Sequence, residues 1–407
     1  MGRPKKTVTL EEQFGDAPVS GAESGKDPFQ KRMAQLAKLR EKYPNARLST
    51  GATEDENPVW VKVPDLGKQW ALGRIGYACG RIKYILGTEG SSKTSNLLYD
   101  CNLAIEQGGL ATIVEWENAM DASHIAKYVR QPDKLIIIHA DCLEEGMEIS
   151  RQVLNDYEEI DPDGVLPKVL GADSIGGSVM RRALDEKVEL GDNRVGGPGL
   201  YMSSAIPYIN NVCARTKTLW VIIGQAREEI PTGFSGPPKP LIERVTGKGG
   251  KAVPFHATYW EFLQRRGTIK GDTGKTGFTV ESTFKKNKKG VQWRNYFYDV
   301  SFAVGENIVF SDHTMSMLAT GNIGGMKVQR NRFWCEEIGI PETAKLYPDE
   351  MYQLVHSQQH IDYFRNALGI RTDARSQVLA TASDRAEVAD DELLAAEAAI
   401  EIPSTPQ

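Results

Sequence analysis

Residues 87–94 read GTEGSSKT and stand between an apolar run at 81–86 and a helix-like stretch at 93–107. No other segment restricts the fold as strongly. A glycine-bearing loop in that position turns successive backbone N–H groups, and the N-terminus of a helix, towards one point, which suits an anion. Lys93 is placed to neutralise the β- and γ-phosphates of a nucleotide, and the Thr94 hydroxyl to ligate Mg2+. The loop follows G-x-x-x-x-G-K-[ST] except that Ser92 stands where the second glycine belongs, with Gly90 two residues earlier. A glycine there lets backbone approach phosphate closely.

The surrounding pattern extends the reading. Apolar strand-like runs occur at 81–86, 110–115, 134–139, 167–172 and 218–223, with helix-like stretches at 93–107, 121–130, 143–158 and 200–216 between them. Strands alternating with helices of that length predict βαβ units and a mostly parallel sheet covered on both faces. After residue 250 the runs 256–265, 278–286 and 295–303 follow one another without helices, which predicts an antiparallel meander continuing the sheet. Residues 44–80 are rich in turn-formers and read as a connector, and 307–380 read as a small mixed domain ending in a helical run at 350–368. Ahead of the connector, Phe29, Met33, Leu36 and Tyr43 recur at helical spacing among lysines and arginines, an amphipathic basic helix that packs on its own core or on a neighbouring subunit.

Composition excludes several classes. At 407 residues, 40 % hydrophobic and 25 % charged, the chain has the make-up of a globular protein of two or three domains. No apolar run approaches a membrane span, and the polar N-terminus carries no secretory signal. The five cysteines are scattered and form no CxxC pair, which argues against a disulfide scaffold or a zinc ribbon and for a reducing cytoplasm. The net charge of −5 is unevenly spread: between Asp384 and Glu401 seven acids face only Arg385, so that tail carries −6 and the rest of the chain +1. The tail reads as a counter-charge over a basic surface, as a docked amphipathic helix or as a solvating segment.

Further candidates stand at strand ends. Glu117 follows the second run, Asp173 the fourth and Gln225 the fifth. There a carboxylate can face a γ-phosphate, an acid can hold Mg2+ or its water shell, and a polar group can sense phosphate and move a following loop. The stretch 226–251 holds Arg227, Lys239, Arg244, Lys248 and Lys251 with four prolines and several glycines, Gly249 and Gly250 among them, which suits a segment tracking single-stranded DNA, although Glu228 and Glu229 oppose that polarity. By itself KKNKKG at 285–290 reads as a solvated hairpin turn.

These pieces resemble the RecA-type DNA strand-exchange recombinases, in a divergent phage-encoded, RecA/UvsX-like form. The resemblance covers about residues 68–305 and rests on GRIKYILGTEGSSKT (80–94), VEWENAMD (114–121), GADSIGG (171–177), VELGDNRVGGPGLYMSSA (188–205), WVIIGQAR (220–227), GKGGKAVPFHAT (247–258) and KKNKK (285–289). It implies a RecA-like P-loop NTPase core, a mostly parallel sheet extended by an antiparallel meander, with a short N-terminal helical arm and a small C-terminal α/β domain. The implied divisions are 1–27 (disordered arm), 28–67 (helix and connector for subunit packing), 68–305 (ATPase core), 306–380 (C-terminal domain) and 381–407 (acidic tail).

Carried over by position, Gly87, Thr88, Glu89, Gly90, Ser91, Ser92, Lys93, Thr94 and Ser95 would bind ATP, with Asp121 and His124 against the adenine, where the family usually has Tyr at the second position. Glu117 would activate the attacking water, Lys93 and Gln225 would complete the catalytic set, and Thr94 and Asp173 would hold Mg2+. Lys286 and Lys288 would reach a neighbouring protomer's ATP. DNA would be met by two loops, near 189–197 and 226–249, through Arg194, Gly196, Gly197, Arg227, Arg244, Lys248, Gly249 and Gly250. The implied partners are single-stranded DNA, homologous double-stranded DNA, further copies of the chain in a helical filament and a single-strand-binding or mediator protein, in the cytoplasm of a bacterial host. A hexameric helicase or motor on the same core, and a non-enzymatic mediator with a degenerate loop, remain alternatives.

Overall fold

The computed structural model describes residues 58–184, 197–228, 240–247, 250–271, 274–302 and 308–372, together with Pro28, Arg32, Gln35, Lys42 and Tyr43. Arg194, Gly196, Lys248, Gly249, Glu229 and the acidic tail lie outside these residues, as does most of the N-terminal arm. The chain divides into Met1–Glu56 and Asn57–Gln407. In the first unit Pro28, Arg32, Gln35 and Lys42 are helical and exposed.

The second unit is built on one sheet. Its strands are β3 (Ile82–Gly87), β4 (Leu110–Glu115), β5 (Leu135–His139), β6 (Lys168–Asp173), β7 (Thr218–Glu228), β8 (Val245–Gly247), β9 (Tyr259–Gly271), β10 (Gly274–Asn287), β11 (Asn295–Ser301) and β12 (Ile308–Val309); a separate short pair is β1 (Trp60–Lys62) with β2 (Gly76–Ala78). The order is β12-β11-β10-β9-β3-β7-β6-β4-β5, with β8 on β7. From β5 to β9 neighbouring strands run parallel, and from β9 to β12 antiparallel. The expected parallel sheet with its meander is therefore present. Every residue of β3 and of β6 is buried, as strands covered on both faces must be.

Helices cover both faces: α1 (Leu66–Leu72), α2 (Lys93–Glu106), α3 (Ala122–Tyr128), α4 (Leu143–Ile160), α5 (Gly197–Thr216), α6 (Leu241–Arg244) and α7 (Ala252–His256). The side-chain alternation of β7 sorts the core into two layers. Leu219, Val221 and Ile223 pack with Leu97, Leu98 and Cys101 of α2, whereas Trp220 and Ile222 pack with Leu154 of α4 and Ile206 of α5. Gly171 lets α2 approach the sheet, since a Cβ there would lie 2.8 Å from Leu97.

One feature of the first layer carries charge. Lys83 of β3 is fully buried, with Nζ 2.7 Å from Asp100 and 2.9 Å from Glu261. Lys68 lies 3.8 Å from Asp100 inside a cage of the Tyr77, Tyr99 and Tyr296 rings. Ser282 and Tyr296 also donate to Glu261. Two lysines balance two acids in a space where the run RIKYIL suggests only apolar packing.

Several boundaries differ from the sequence reading. The turn-rich stretch 44–80 contains β1, β2 and α1, and Val61, Val63 and Tyr77 are buried in the sheet's core. These strands are three residues long and flanked by turn residues, so no periodicity marks them. The strand β7 runs on to Glu228 and pairs with β8, so residues 226–228 and 245–247 of the expected loop are an antiparallel ladder. Beyond β12, α8 (Ser311–Thr320), β13 (Lys327–Gln329), β14 (Arg332–Trp334), α9 (Pro348–Val355) and α10 (Ile361–Ala367) share a third core of Met315, Leu318, Phe333, Met351 and Phe364, joined by Leu66 of α1. The helical run expected at 350–368 is thus two helices, separated at 356–360.

Candidate functional site

The carboxyl ends of β3, β4, β6 and β7 face one cleft of about 700 Å³. Gly87, Glu89, Gly90, Ser91, Ser92, Lys93, Thr94 and Ser95 line one wall, and Glu117, His124, Asp173, Ser174 and Gln225 contribute to the others. Strand order reverses beside β3, whose two neighbours β7 and β9 both lie far from it in sequence, and a crevice at such a point is where open α/β sheets hold ligands.

The loop is shaped by close backbone approach. A Cβ on Gly87 would lie 2.4 Å from Ser91 Oγ and 2.8 Å from the Leu263 carbonyl, so no larger residue fits. Ser91 Oγ donates to the Thr88 carbonyl at 2.7 Å, and Lys93 Nζ donates to the same carbonyl at 2.7 Å. The ammonium is thus folded over the loop, and burial draws its pKa down against the pull of Asp173, Glu117 and Glu89. Ser92 holds φ 71 and ψ 29 at the start of α2, the left-handed conformation that the motif's missing glycine would adopt without a steric cost. Ser92→Gly should therefore stabilise the fold by about 1 kcal/mol, seen as a higher urea midpoint at unchanged slope. A lower midpoint would mean that the serine side chain contributes more than its backbone strain costs.

The acidic wall is organised around Asp173 and Glu117. Thr94 Oγ1 donates to Asp173 Oδ2 at 2.7 Å. Burial pushes the Asp173 carboxyl up to about 6; the Thr94 hydrogen bond opposes this, and the Glu117 and Glu115 charges add to it. Glu117 Oε1 accepts from Ser174 Oγ and from Gln225 Nε2, the latter at 3.1 Å. A Cβ on Gly177 would lie 2.5 Å from Glu117 Cγ, so that glycine leaves the room in which Glu117 lies. Among the described residues no three His, Cys, Asp or Glu side chains form a metal cluster. A hydroxyl and a buried carboxylate side by side nevertheless fit Mg2+, which takes one or two protein oxygens and fills its remaining positions with phosphate and water.

Asp121 caps α3, accepting from His124 N at 2.8 Å and Ser123 Oγ at 2.6 Å, and these bonds hold its pKa down. It borders a small cavity next to the cleft together with His124, whose ring packs edge-on against Tyr128. Ser174 and Glu115 were not singled out in the sequence. A serine directly after a strand-end acid was the available sign of the first, and an acid inside the apolar run LATIVE that of the second.

Lys286 and Lys288 do not enter this cleft. They border a separate cavity of about 580 Å³ with Arg81 and His256. The register explains why. Asn287 pairs with Tyr259, and Tyr259 with Lys83, at the amino end of β3. Gly87 lies four residues further on, about 13 Å at 3.3 Å per residue. Lys286 Nζ donates to the Pro254 and Phe255 carbonyls, and burial and Lys288 draw its pKa down to about 8. Of the described DNA-loop candidates, Arg227 is on β7 opposite Thr246, Arg244 ends α6, Gly197 opens α5, and Gly250 holds φ +76 before α7. No helix among the described residues is long and apolar enough to cross a membrane.

A parallel sheet with a glycine- and lysine-bearing loop at its switch point defines the phosphate-loop α/β class. Within that class, the model of the RecA N-terminal domain matches residues 33–307. A Protein RecA from Lactobacillus delbrueckii subsp. bulgaricus is 29 % identical over 319 residues, spanning 78 % of this chain and 91 % of its own length. One from Limosilactobacillus reuteri is 28 % identical over 341 residues, with 83 % and 87 % covered. One from Streptococcus equi subsp. equi is 27 % identical over 407 residues, with 98 % of both chains covered. The chain belongs to the RecA family.

Proposed function

We propose that the protein is an ATP-dependent DNA recombinase that assembles as a helical filament on single-stranded DNA, pairs it with a homologous duplex and hydrolyses ATP while bound to DNA. RecA relatives across most of the chain support the recombinase reading. The observation that carries the ATPase part is the convergence of Lys93, Thr94, Asp173, Glu117 and Gln225 on one cleft.

In this reading the loop N–H groups and the start of α2 bind the phosphates, with Lys93 turning from the Thr88 carbonyl to the γ-phosphate. Thr94 and Asp173 would hold Mg2+, which supplies charge neutralisation for phosphoryl transfer. Glu117 orients the attacking water and receives its proton. Gln225 joins Glu117 to the β7–β8 ladder; Arg227 on that ladder and Arg244 at the end of α6, with Arg194 and Lys248 from beyond the described residues, meet the DNA backbone while Gly196, Gly197, Gly249 and Gly250 let it come close. Asp121 and His124 face the adenine. Lys286 and Lys288, which lie at the far end of the sheet from their own cleft, serve a neighbour's nucleotide in this reading. A reducing bacterial cytoplasm, possession by a phage and a mediator partner belong to the same proposal.

The test is ATP hydrolysis on single-stranded DNA over a protein-concentration series, with electron microscopy of the same samples. Lys286→Ala should lower turnover of the assembled protein about 100-fold, the scale of removing one preorganised donor, while nucleotide binding by dilute protein stays at the parental value. Closed rings in place of filaments would favour a helicase. Absence of DNA-stimulated hydrolysis would favour a mediator.

A further inference from the structure

Glu115 is 1 % exposed and ends β4 beside the two acids of the cleft, two residues before Glu117 and in register with Asp173. Both of its oxygens are engaged. Oε2 lies 2.8 Å from Nδ1 of His139, the last residue of β5, and Oε1 accepts the Ala119 N–H at 2.8 Å. Ala119 is midway along the turn that runs from Trp116 to Asp121. The turn is pinned at its start, where Trp116 Nε1 donates to the Cys142 carbonyl and the indole packs on Gly146, and at its end, where Asp121 caps α3. Between those points Asn118 takes a left-handed φ of 50, and Glu115 holds the Ala119 N–H from outside the turn. With Glu115 as the accepting carboxylate, Nδ1 is the donor of this contact.

From this geometry we infer that His139, through Glu115, is a positioning residue for hydrolysis: the pair sets the turn that aims Glu117 at the attacking water. The inference rests on the proposed role of Glu117. His139 is on the sheet's edge strand with more than half of its side chain exposed, whereas Glu115 is sealed in beside Asp173 and Glu117. His139 is therefore the donor that meets the Glu115 carboxylate from the side away from the other acids. Without it a buried carboxylate faces two like charges with Ala119 alone as partner, and its hold on the turn loosens. Displacements of about 1 Å in a catalytic group cost up to about 100-fold in rate.

The experiment uses the full chain with His139→Ala and His139→Gln, whose amide can still donate to Glu115. Hydrogen–deuterium exchange across residues 116–124 is followed without nucleotide, and ATP turnover on poly(dT) and binding of a fluorescent ATP analogue are measured alongside. His139→Ala should exchange about 10-fold faster at Ala119, the size expected for losing a charge-assisted bond, and lower turnover about 10-fold with analogue affinity unchanged. His139→Gln should restore both. Parental exchange at Ala119 in His139→Ala overturns the inference whatever the turnover. So does faster exchange with parental turnover, or a Gln variant as impaired as the Ala variant. A parent that hydrolyses no ATP fails the functional reading instead, and exchange still decides whether His139 holds the turn.

Discussion

Glu117→Gln should keep nucleotide binding and lower DNA-stimulated ATP turnover by about 100- to 1000-fold, within the range that a general base contributes. Glu117 accepts two hydrogen bonds, from Ser174 and Gln225, and its remaining acceptor capacity faces the cleft. Glutamine has nearly the same shape and can still accept through its carbonyl, so the wall of the cleft stays in place. What is lost is the base. Protein assembled on DNA with ATP should then persist, because release is tied to hydrolysis, and gel-shift lifetimes measured beside phosphate release check both halves. Parental turnover would make Glu117 a strand-end acid without catalytic work.

The second large effect is on stability. Lys83→Met should destabilise the fold by about 3–5 kcal/mol, because it leaves Asp100 and Glu261 buried together with only Lys68 nearby. Burial alone would push the Glu261 carboxyl up, but Lys83 and Lys68 override it and hold its pKa below the usual range. A depressed carboxyl adds stability that is present above its unfolded pKa and is lost as pH falls through the folded one. The parent should therefore lose stability on acidification below about pH 4.5, and Lys83→Met should flatten that slope. The double variant Lys83→Met with Asp100→Asn restores charge balance between Lys68 and Glu261 and should recover about 2 kcal/mol. Denaturant unfolding of the three proteins measures this, and an equal loss in the double variant would show that packing rather than charge dominates.

The sheet was legible because strands buried on both faces need unbroken apolar runs, and the stretches ending at Gly87, Glu115 and Asp173 supply them. The continuation of β7 past Ile223 was not. Gly224, Gln225 and Arg227 interrupt the apolar run, and their partner strand at Val245–Gly247 is recruited from across a long excursion. The loop at residues 87–94 announces itself through glycine spacing and the Lys-Thr pair. Contacts such as Ser174 with Glu117 and His139 with Glu115 depend on neighbouring strands in the sheet that are distant in the chain, and no local pattern encodes them. The lysines of the meander belong to the same group: KKNKKG reads as a solvated turn until the register places it at the amino edge of the sheet.

That placement has a stoichiometric consequence. In the proposed assembly each copy offers its lysines at one end of the sheet and its cleft at the other. An open row of copies therefore always has one complete site fewer than it has members. The leading copy presents lysines to no neighbour, and the trailing copy keeps a cleft that nothing completes. Turnover per copy must then climb with row length, and a lone pair runs a single site between two chains. A variant without the lysines removes no site when it leads a row, whereas at any other position it silences the one junction that its lysines would enter.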